Sequence, residues 1–350
     1  MRERIFNSLS SGDEWNVWKG DRLNRIECAL ENIHEEGERA LITARKNIYY
    51  LSGFMPTATS FLILEDEPVL LVSEMDRESA MAKSRVDVRT FKRIKDVSES
   101  FDLSGVLVEP ATPVGLLERL GIGGDFRVMD PVSDIRMVKD REELKRMEEA
   151  LRIAENSFKK LEFKGTEIEI AARLDYTMRL AGSEGVSFDT IVASSERSSI
   201  PHAVPTANTI ESPVLIDWGA VREVYHSDTT RTIVEGEREH EVLEIVLEAK
   251  RAGVKALKPG ARACDIDSAV RGVIGEYGYA DNFIHSTGHG VGLDVHEKPS
   301  LAAGDETVLR RGMVLTVEPG IYIPGEFGVR VEDMVVVGDG VMNQLPDALG

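Results

Sequence analysis

The chain has 350 residues, long for a single hydrophobic core and suited to two domains. Hydrophobic residues make up 42%, enough for a packed globular protein, and no apolar run approaches the ~20 residues that span a bilayer, so no membrane partner is expected. A net charge of −19 and a pI near 4.9 argue against nucleic-acid binding through phosphates, which needs a basic face.

The only cysteines, Cys28 and Cys264, are far apart in sequence, so no disulfide framework is expected and a cytoplasmic location follows. The first 20 residues lack the apolar stretch of a signal peptide. They read as an extension, with Trp15 and Trp18 as anchors to the body or to a partner subunit. From 21 to 135, helical and strand patterns alternate. Leu23, Ile26, Leu30 and Ile33 recur at helical spacing. ALIT (Ala40–Thr43) and SFLILEDEPVLLVS (Ser60–Ser73) predict two or three strands with a turn at Glu65–Pro68, and VRTF and GVLVE predict two more. This is a small α/β domain without a catalytic constellation.

The words DPVSDIRMVKDREEL mark a boundary, and 136–350 form the second domain. Leu144, Met147, Leu151, Ala154, Phe158 and Leu161 predict a long helix packed on a sheet. Thr166 and Glu169 form a capping box that opens a second helix carrying Ile170, Leu174 and Met178. Further helices are predicted over 239–257, closed by Pro259-Gly260, and over 265–277, closed by Gly278. The stretches TIVAS, PVLIDWGA, TTRTIVEG, MVLTVEP and VRVEDMVVV read as strands, so helices and strands alternate in two rounds.

Five residues of this second domain read as a metal site. They are Asp217 in LIDWGA, Asp228 in YHSDTTRT, His289 in STGHGVG, Glu318 in LTVEPGIY and Glu332 in GVRVEDM. Four carboxylates and an imidazole in a dry cleft repel one another unless they hold one or two divalent cations. Oxygen donors with one nitrogen suit Mn²⁺, Co²⁺, Fe²⁺ or Zn²⁺. Any one of the 61 acidic residues would ordinarily be a solvated surface charge. Asp217, Glu318 and Glu332, however, fall in apolar strand patterns, where an unpaired carboxylate costs on the order of several kcal/mol. Arg330, two residues before Glu332, shares its face of a strand and can orient carboxylates through its planar fork. Tyr225 and Thr230 are candidates to fix the ligands by hydrogen bonds. His226 alternates away from the ligand face and reads as structural. The word GHGVG lets backbone approach closely and is not a phosphate loop.

The order Asp, Asp, His, Glu, Glu, with the first pair 11 positions apart and the last pair 14, resembles the proline-specific pita-bread metallopeptidases. These include Xaa-Pro dipeptidases (prolidases) and aminopeptidases P. NIYYLSGF (Asn47–Phe54) is similar to the start of their N-terminal domain, and the resemblance covers nearly all of Ile26 to Leu345. It implies an α/β (α+β) architecture: a C-terminal pita-bread (creatinase/aminopeptidase) domain with a smaller N-terminal α/β creatinase-like domain. It also implies a homodimer, a small peptide substrate with proline at the second position, and two divalent ions per subunit. Mn or Co leads among the metals, with Fe or Zn as alternatives. Asp217 matches a ligand of one metal, His289 and Glu318 ligands of the other, and Asp228 and Glu332 the bridging pair. A hydroxide bridging the metals is the implied nucleophile and Glu318 the general base. His202 in IPHAVPT and His296 in LDVHEKP match cleft imidazoles that hydrogen-bond the scissile carbonyl. His202, His296, Glu318 and Arg330 are therefore the candidate catalytic residues.

Two positions depart from the pattern. Ser300 stands where some archaeal prolidases carry an Arg that helps hold the dipeptide carboxylate, and Ala203 where Gly commonly follows the cleft His. The first leaves open aminopeptidase P activity on longer peptides. A metal-free hydrolase like creatinase and an inactive binding module on this fold are the alternatives of other classes. The intact ligand set argues against both. His34, His240 and His285 carry no motif.

Overall fold

The computed structural model describes residues 22–34 and 39–348, so Trp15 and Trp18 and the side chain of His34 lie outside the described residues. The described chain divides into two compact units, with the division between Ile135 and Arg136.

The first unit is built on a six-stranded mixed sheet in the order β4-β3-β2-β1-β5-β6. Its strands are β1 (Ala40–Ile42), β2 (Phe61–Leu64), β3 (Val69–Ser73), β4 (Asp87–Phe91), β5 (Val106–Val108) and β6 (Phe126–Val128). The central strands β1, β2 and β5 are buried throughout, as continuous apolar runs should be when both faces are covered. Helices α1 (Arg22–His34), α2 (Arg45–Ser52), α3 (Arg77–Lys83), α4 (Ile94–Ser100) and α5 (Val114–Arg119) complete the unit. NIYYLSGF is mostly helix α2. Gly53 closes it in the left-handed region at φ 83°, its N–H donating to the Tyr49 carbonyl.

The second unit repeats one plan, two helices against antiparallel strands. In the first half, α6 (Arg141–Phe158) and α7 (Glu167–Leu180) pack on a three-stranded sheet ordered β11-β8-β7. Both helices open on reciprocal capping boxes, Asp140 with Glu143 and Thr166 with Glu169. The Phe158 ring stacks on Trp218 at 4.3 Å, and the indole N–H donates to the Ala154 carbonyl at 3.1 Å, fixing α6 to β8. The strands are β7 (Ile191–Ser194), β8 (Val214–Trp218) and β11 (Thr229–Ile233), with a small hairpin of β9 (Val221–Arg222) and β10 (Tyr225–His226) nested between β8 and β11.

In the second half, α8 (Glu237–Ala256) and α9 (Ala263–Glu276) precede a five-stranded sheet ordered β13-β12-β14-β17-β18. These strands are β12 (Gly288–Gly290), β13 (Glu297–Leu301), β14 (Val314–Val317), β17 (Asp333–Val336) and β18 (Gly340–Val341), with a separate hairpin of β15 (Gly320–Ile323) and β16 (Phe327–Arg330). The continuous strand expected at VRVEDMVVV is in fact two strands in different sheets. The break falls at Val331–Glu332, where the chain leaves β16 for β17 and Glu332 bridges to Thr230 of the first half. That crossing point is where the two halves join around the candidate site.

Candidate metal centre

Strands β8 and β11 bring the first two carboxylates together. They pair antiparallel with Asp217 opposite Thr230, so Asp217 and Asp228 lie at one end of the ladder, on either side of the nested hairpin. Both are buried. His289 sits at the middle of β12, between β13 and β14. Gly288 makes the tight approach possible, because a Cβ there would lie 2.0 Å from the Thr316 carbonyl oxygen. Glu318 follows the end of β14, its N–H donating to the Thr287 carbonyl at 2.9 Å. The Glu332 N–H donates to the Thr230 carbonyl at 3.1 Å, which fixes the fifth residue over the first two.

The side chains converge. One donor atom each from Asp228, His289 and Glu332 lie within 4.8 Å of one another. His289 Nε2 is 3.4 Å from Glu318 Oε1 and 3.7 Å from Asp228 Oδ2. His289 Nδ1 lies 3.1 Å from the Gly290 carbonyl oxygen, which can only accept, so Nδ1 carries the proton. Burial holds the His289 pKa below its ordinary value. The imidazole is therefore neutral, with the Nε2 lone pair aimed at the carboxylates.

The carboxylates are poorly satisfied on their own. Asp217 Oδ1 and Asp228 Oδ1 are buried and have no hydrogen-bond partner. Burial, then the charges of Glu332, Asp217 and Glu318, raise the Asp228 pKa well above the usual carboxylate range. Burial, with Glu318 and Asp217 adding to it, does the same to Glu332. Glu318 is also raised, chiefly by burial. Unpaired buried oxygens, mutual repulsion and a free imidazole lone pair are what a divalent cation relieves, so the residues present fit a metal site. Two ligands of one small cation at ~2.1 Å sit roughly 3 Å apart, close to the His289–Glu318 separation.

Arg330 organises the remainder. Its guanidinium donates from Nη2 to Asp217 Oδ2 (2.6 Å), from Nε to Thr230 Oγ1 (3.2 Å), and from Nη1 to the Tyr322 hydroxyl oxygen (2.7 Å) and the Pro201 carbonyl (3.3 Å). The Thr230 hydroxyl donates in turn to Glu332 Oε2 at 2.8 Å. The Tyr225 hydroxyl donates to Glu143 Oε1 at 2.7 Å, at the start of α6. His296 is exposed, with its ring 4.2 Å from that of His289. His202 is exposed on the segment after β7, and a positive charge on it is felt at His285 and His296. The backbone N–H of His226 donates to the Gly292 carbonyl at 2.9 Å.

Two residues of this network escape sequence reasoning. His285 was expected to carry no motif, yet its Nε2 lies 2.9 Å from the Tyr322 hydroxyl. Its Nδ1 lies 2.8 Å from the Ser286 carbonyl and must donate there, so Nε2 accepts from Tyr322 while Tyr322 accepts from Arg330. Burial pushes the Tyr322 hydroxyl up to about 12 and His285 down, so both are neutral. The trace of Tyr322 in the sequence is steric. Gly328 faces it across β15 and β16, and a Cβ there would meet the Tyr322 ring at 2.7 Å.

Comparison with known proteins adds to this geometry. The profile of the Creatinase/Prolidase N-terminal domain matches residues 25–152, and that of Metallopeptidase family M24 matches residues 145–339. An Xaa-Pro dipeptidase of Pyrococcus furiosus is 40% identical over 330 residues, covering 89% of this chain and 94% of that protein. The crystal structure of the prolidase from Pyrococcus horikoshii OT3 superposes with a TM-score of 0.88 at 36% identity, covering 92% of this chain and 99% of that one. An X-Pro aminopeptidase from Thermotoga maritima superposes with a TM-score of 0.80 at 34% identity, covering 89% and 98%. The creatinase-type N-terminal domain and pita-bread domain expected from the sequence are both borne out. With buried carboxylates and a neutral imidazole gathered in the second of these domains, the chain belongs to Metallopeptidase family M24.

Proposed function

We propose that this protein hydrolyses the peptide bond before proline in Xaa-Pro dipeptides, with two divalent metal ions held by Asp217, Asp228, His289, Glu318 and Glu332. The observation that carries the reading is the convergence of the Asp228, His289 and Glu332 donor atoms within 4.8 Å, beside buried oxygens that no proton satisfies. The donor set favours Mn or Co, with Fe or Zn next. The substrate class rests on the relatives named Xaa-Pro dipeptidase.

Bound divalent ions would polarise the scissile carbonyl and bring the pKa of water toward neutrality. Glu318 takes a proton from the attacking water and returns it to the departing nitrogen. That nitrogen belongs to proline and has no N–H in the intact bond, so the leaving-group side needs no acceptor. His202 and His296, exposed near the cluster, donate to the carbonyl oxygen as charge builds on it. Arg330 holds Asp217 in place, and Thr230 orients Glu332. We assign catalysis to 136–350, with 21–135 and the extension 1–20 ahead of it. A homodimer in the cytoplasm completes the reading; sedimentation would show the dimer.

Ser300 favours a second reading, an Xaa-Pro aminopeptidase acting on longer peptides. It pairs directly with His289 across β12 and β13, so its side chain shares that face. The residue offers a hydroxyl there, and its N–H donates to the Asp305 carboxylate at 2.9 Å. An anionic neighbour does not suit a free dipeptide carboxylate. Hydrolysis of Met-Pro beside Met-Pro-Gly, with Mn²⁺ or Co²⁺ and a chelator control, decides between them. Faster cleavage of Met-Pro supports the dipeptidase, and faster cleavage of the tripeptide the aminopeptidase.

A further inference from the structure

Glu167, the first residue of α7, has a carboxylate buried at 0% exposure, and none of the metal ligands touches it in the bonds it makes. Five donors converge on it. Oε1 accepts from the N–H and hydroxyl of Ser194, at 2.9 and 3.1 Å. Oε2 accepts from the N–H and hydroxyl of Thr206, at 2.9 and 2.7 Å, and from Arg197 Nε at 3.2 Å. Ser194 ends β7 and Thr206 lies twelve positions on, so one carboxylate grips both feet of the segment between them. His202 is near the middle of that segment.

Helix capping does not account for the arrangement, because Thr166 and Glu169 already cap α7. Apolar packing holds the segment only at the small side chain of Ala203, which is buried. Ile200 and Val204, on either side of His202, are 50% and 77% exposed. The other ties are polar: Arg197 Nη2 to the Val204 carbonyl at 2.6 Å, the Gly328 N–H to Ser198 Oγ at 2.8 Å, and Arg330 to the Pro201 carbonyl. Burial raises the Glu167 pKa, but the hydrogen bonds from Thr206 and Ser194 outweigh it and hold the carboxyl below its ordinary range. The clamp is therefore anionic and charge-assisted.

We propose that Glu167 is a positioning residue that holds the His202 segment where the imidazole reaches the scissile carbonyl. The inference rests on the role given to His202 above. Glu167 acts through His202 and never meets the substrate.

The test is a double-mutant cycle on Met-Pro hydrolysis with the full-length, metal-loaded protein. E167Q keeps the shape and one acceptor and loses the charge. It is expected to lower kcat/KM about 10- to 100-fold, as small misplacements of a catalytic group do, with metal content unchanged. H202A is expected to lower kcat/KM on its own, and E167Q added to H202A to lower it no further. T206V, which removes one donor to Glu167, and R197M, which removes the Arg197 bonds to Glu167 and to the Val204 carbonyl, are expected to give smaller losses that H202A likewise absorbs, and they carry the cycle if E167Q fails to fold. Wild-type activity in E167Q, or losses that multiply with H202A, would overturn the proposal. Full activity in H202A would overturn it too, by removing the reading of His202 on which it stands.

Discussion

At the scale of single residues, Arg330 joins the requirements of the metal cluster to those of the cleft. It satisfies one oxygen of Asp217, steadies Thr230 and through it Glu332, and donates to the Tyr322 hydroxyl, which in turn donates to His285. A lysine offers no planar fork and cannot make these bonds together. Arg330→Lys is therefore expected to lower kcat/KM about 10- to 100-fold and to weaken metal binding, measured by kinetics beside a metal titration. Wild-type values of both would show that the fork is not needed. Position 300 makes a separate prediction. Ser300→Arg places a cation opposite His289 and should shift the ratio of Met-Pro to Met-Pro-Gly cleavage about tenfold toward the dipeptide, while metal content stays constant. The five clustered residues and Arg330 were legible because each stands in a short distinctive word, and Asp217, Glu318 and Glu332 also fall in apolar strand patterns. His285 was not, since it lies in irregular chain with no period to place it. Tyr322 was not, because the space it fills is made by Gly328, which becomes its neighbour only in the folded hairpin.

At the scale of elements, one helix start was readable and strand breaks were not. The capping box at Thr166 is local chemistry, and α7 begins where it says, whereas the helices expected from 239 and 265 begin at Glu237 and Ala263. Helix α6 stops at Phe158, and Leu161 beyond its end still packs partly buried on the same core, so the apolar period outruns the helix. The split at Glu332 is a matter of which strand each segment pairs with, and alternation along one chain carries no such information. In the first unit, α3, α4 and α5 bury only one or two residues each, too few for a visible period. The start of β13 makes the prediction at this scale. Glu297, next to His296, is bound by Arg136 at 2.5 Å and Lys139 at 2.7 Å. Burial raises its pKa, but the two cations outweigh that and hold it below the ordinary range. A folded pKa below the unfolded one gives stability that is present above about pH 4.3 and lost as pH falls through the folded value. Glu297→Gln takes the carboxylate from buried Lys139 and leaves Arg136 to Asp294, 2.7 Å away, and should cost roughly 3 kcal/mol at pH 7. Thermal melts should show the gap from wild type narrowing as the pH drops below about 4. A gap that stays constant with pH would contradict the assignment.

At the scale of the whole second unit, two similar halves meet around the bridge of Thr230 with Glu332, and the cluster of carboxylates and imidazole sits on that junction. A buried ion network lies directly behind it. Arg231 donates to the Glu332 carbonyl at 2.6 Å and to Asp333 Oδ1 at 2.8 Å, and Lys250 pairs with Asp333 and Asp347. Arg231 also holds the carbonyls of Leu345 and Pro346, so residues near 345 are tied to the strand that carries Glu332. The cluster is thus set from behind by paired charges and left unsatisfied in front, which is the asymmetry a metal site needs. The direct test is to strip the protein with chelator and titrate Co²⁺ or Mn²⁺ back while following Met-Pro hydrolysis. The expected result is no hydrolysis in the stripped protein and activity that saturates at two ions per chain. Hydrolysis without metal, or full metal binding without any cleavage of Met-Pro or Met-Pro-Gly, would contradict the account.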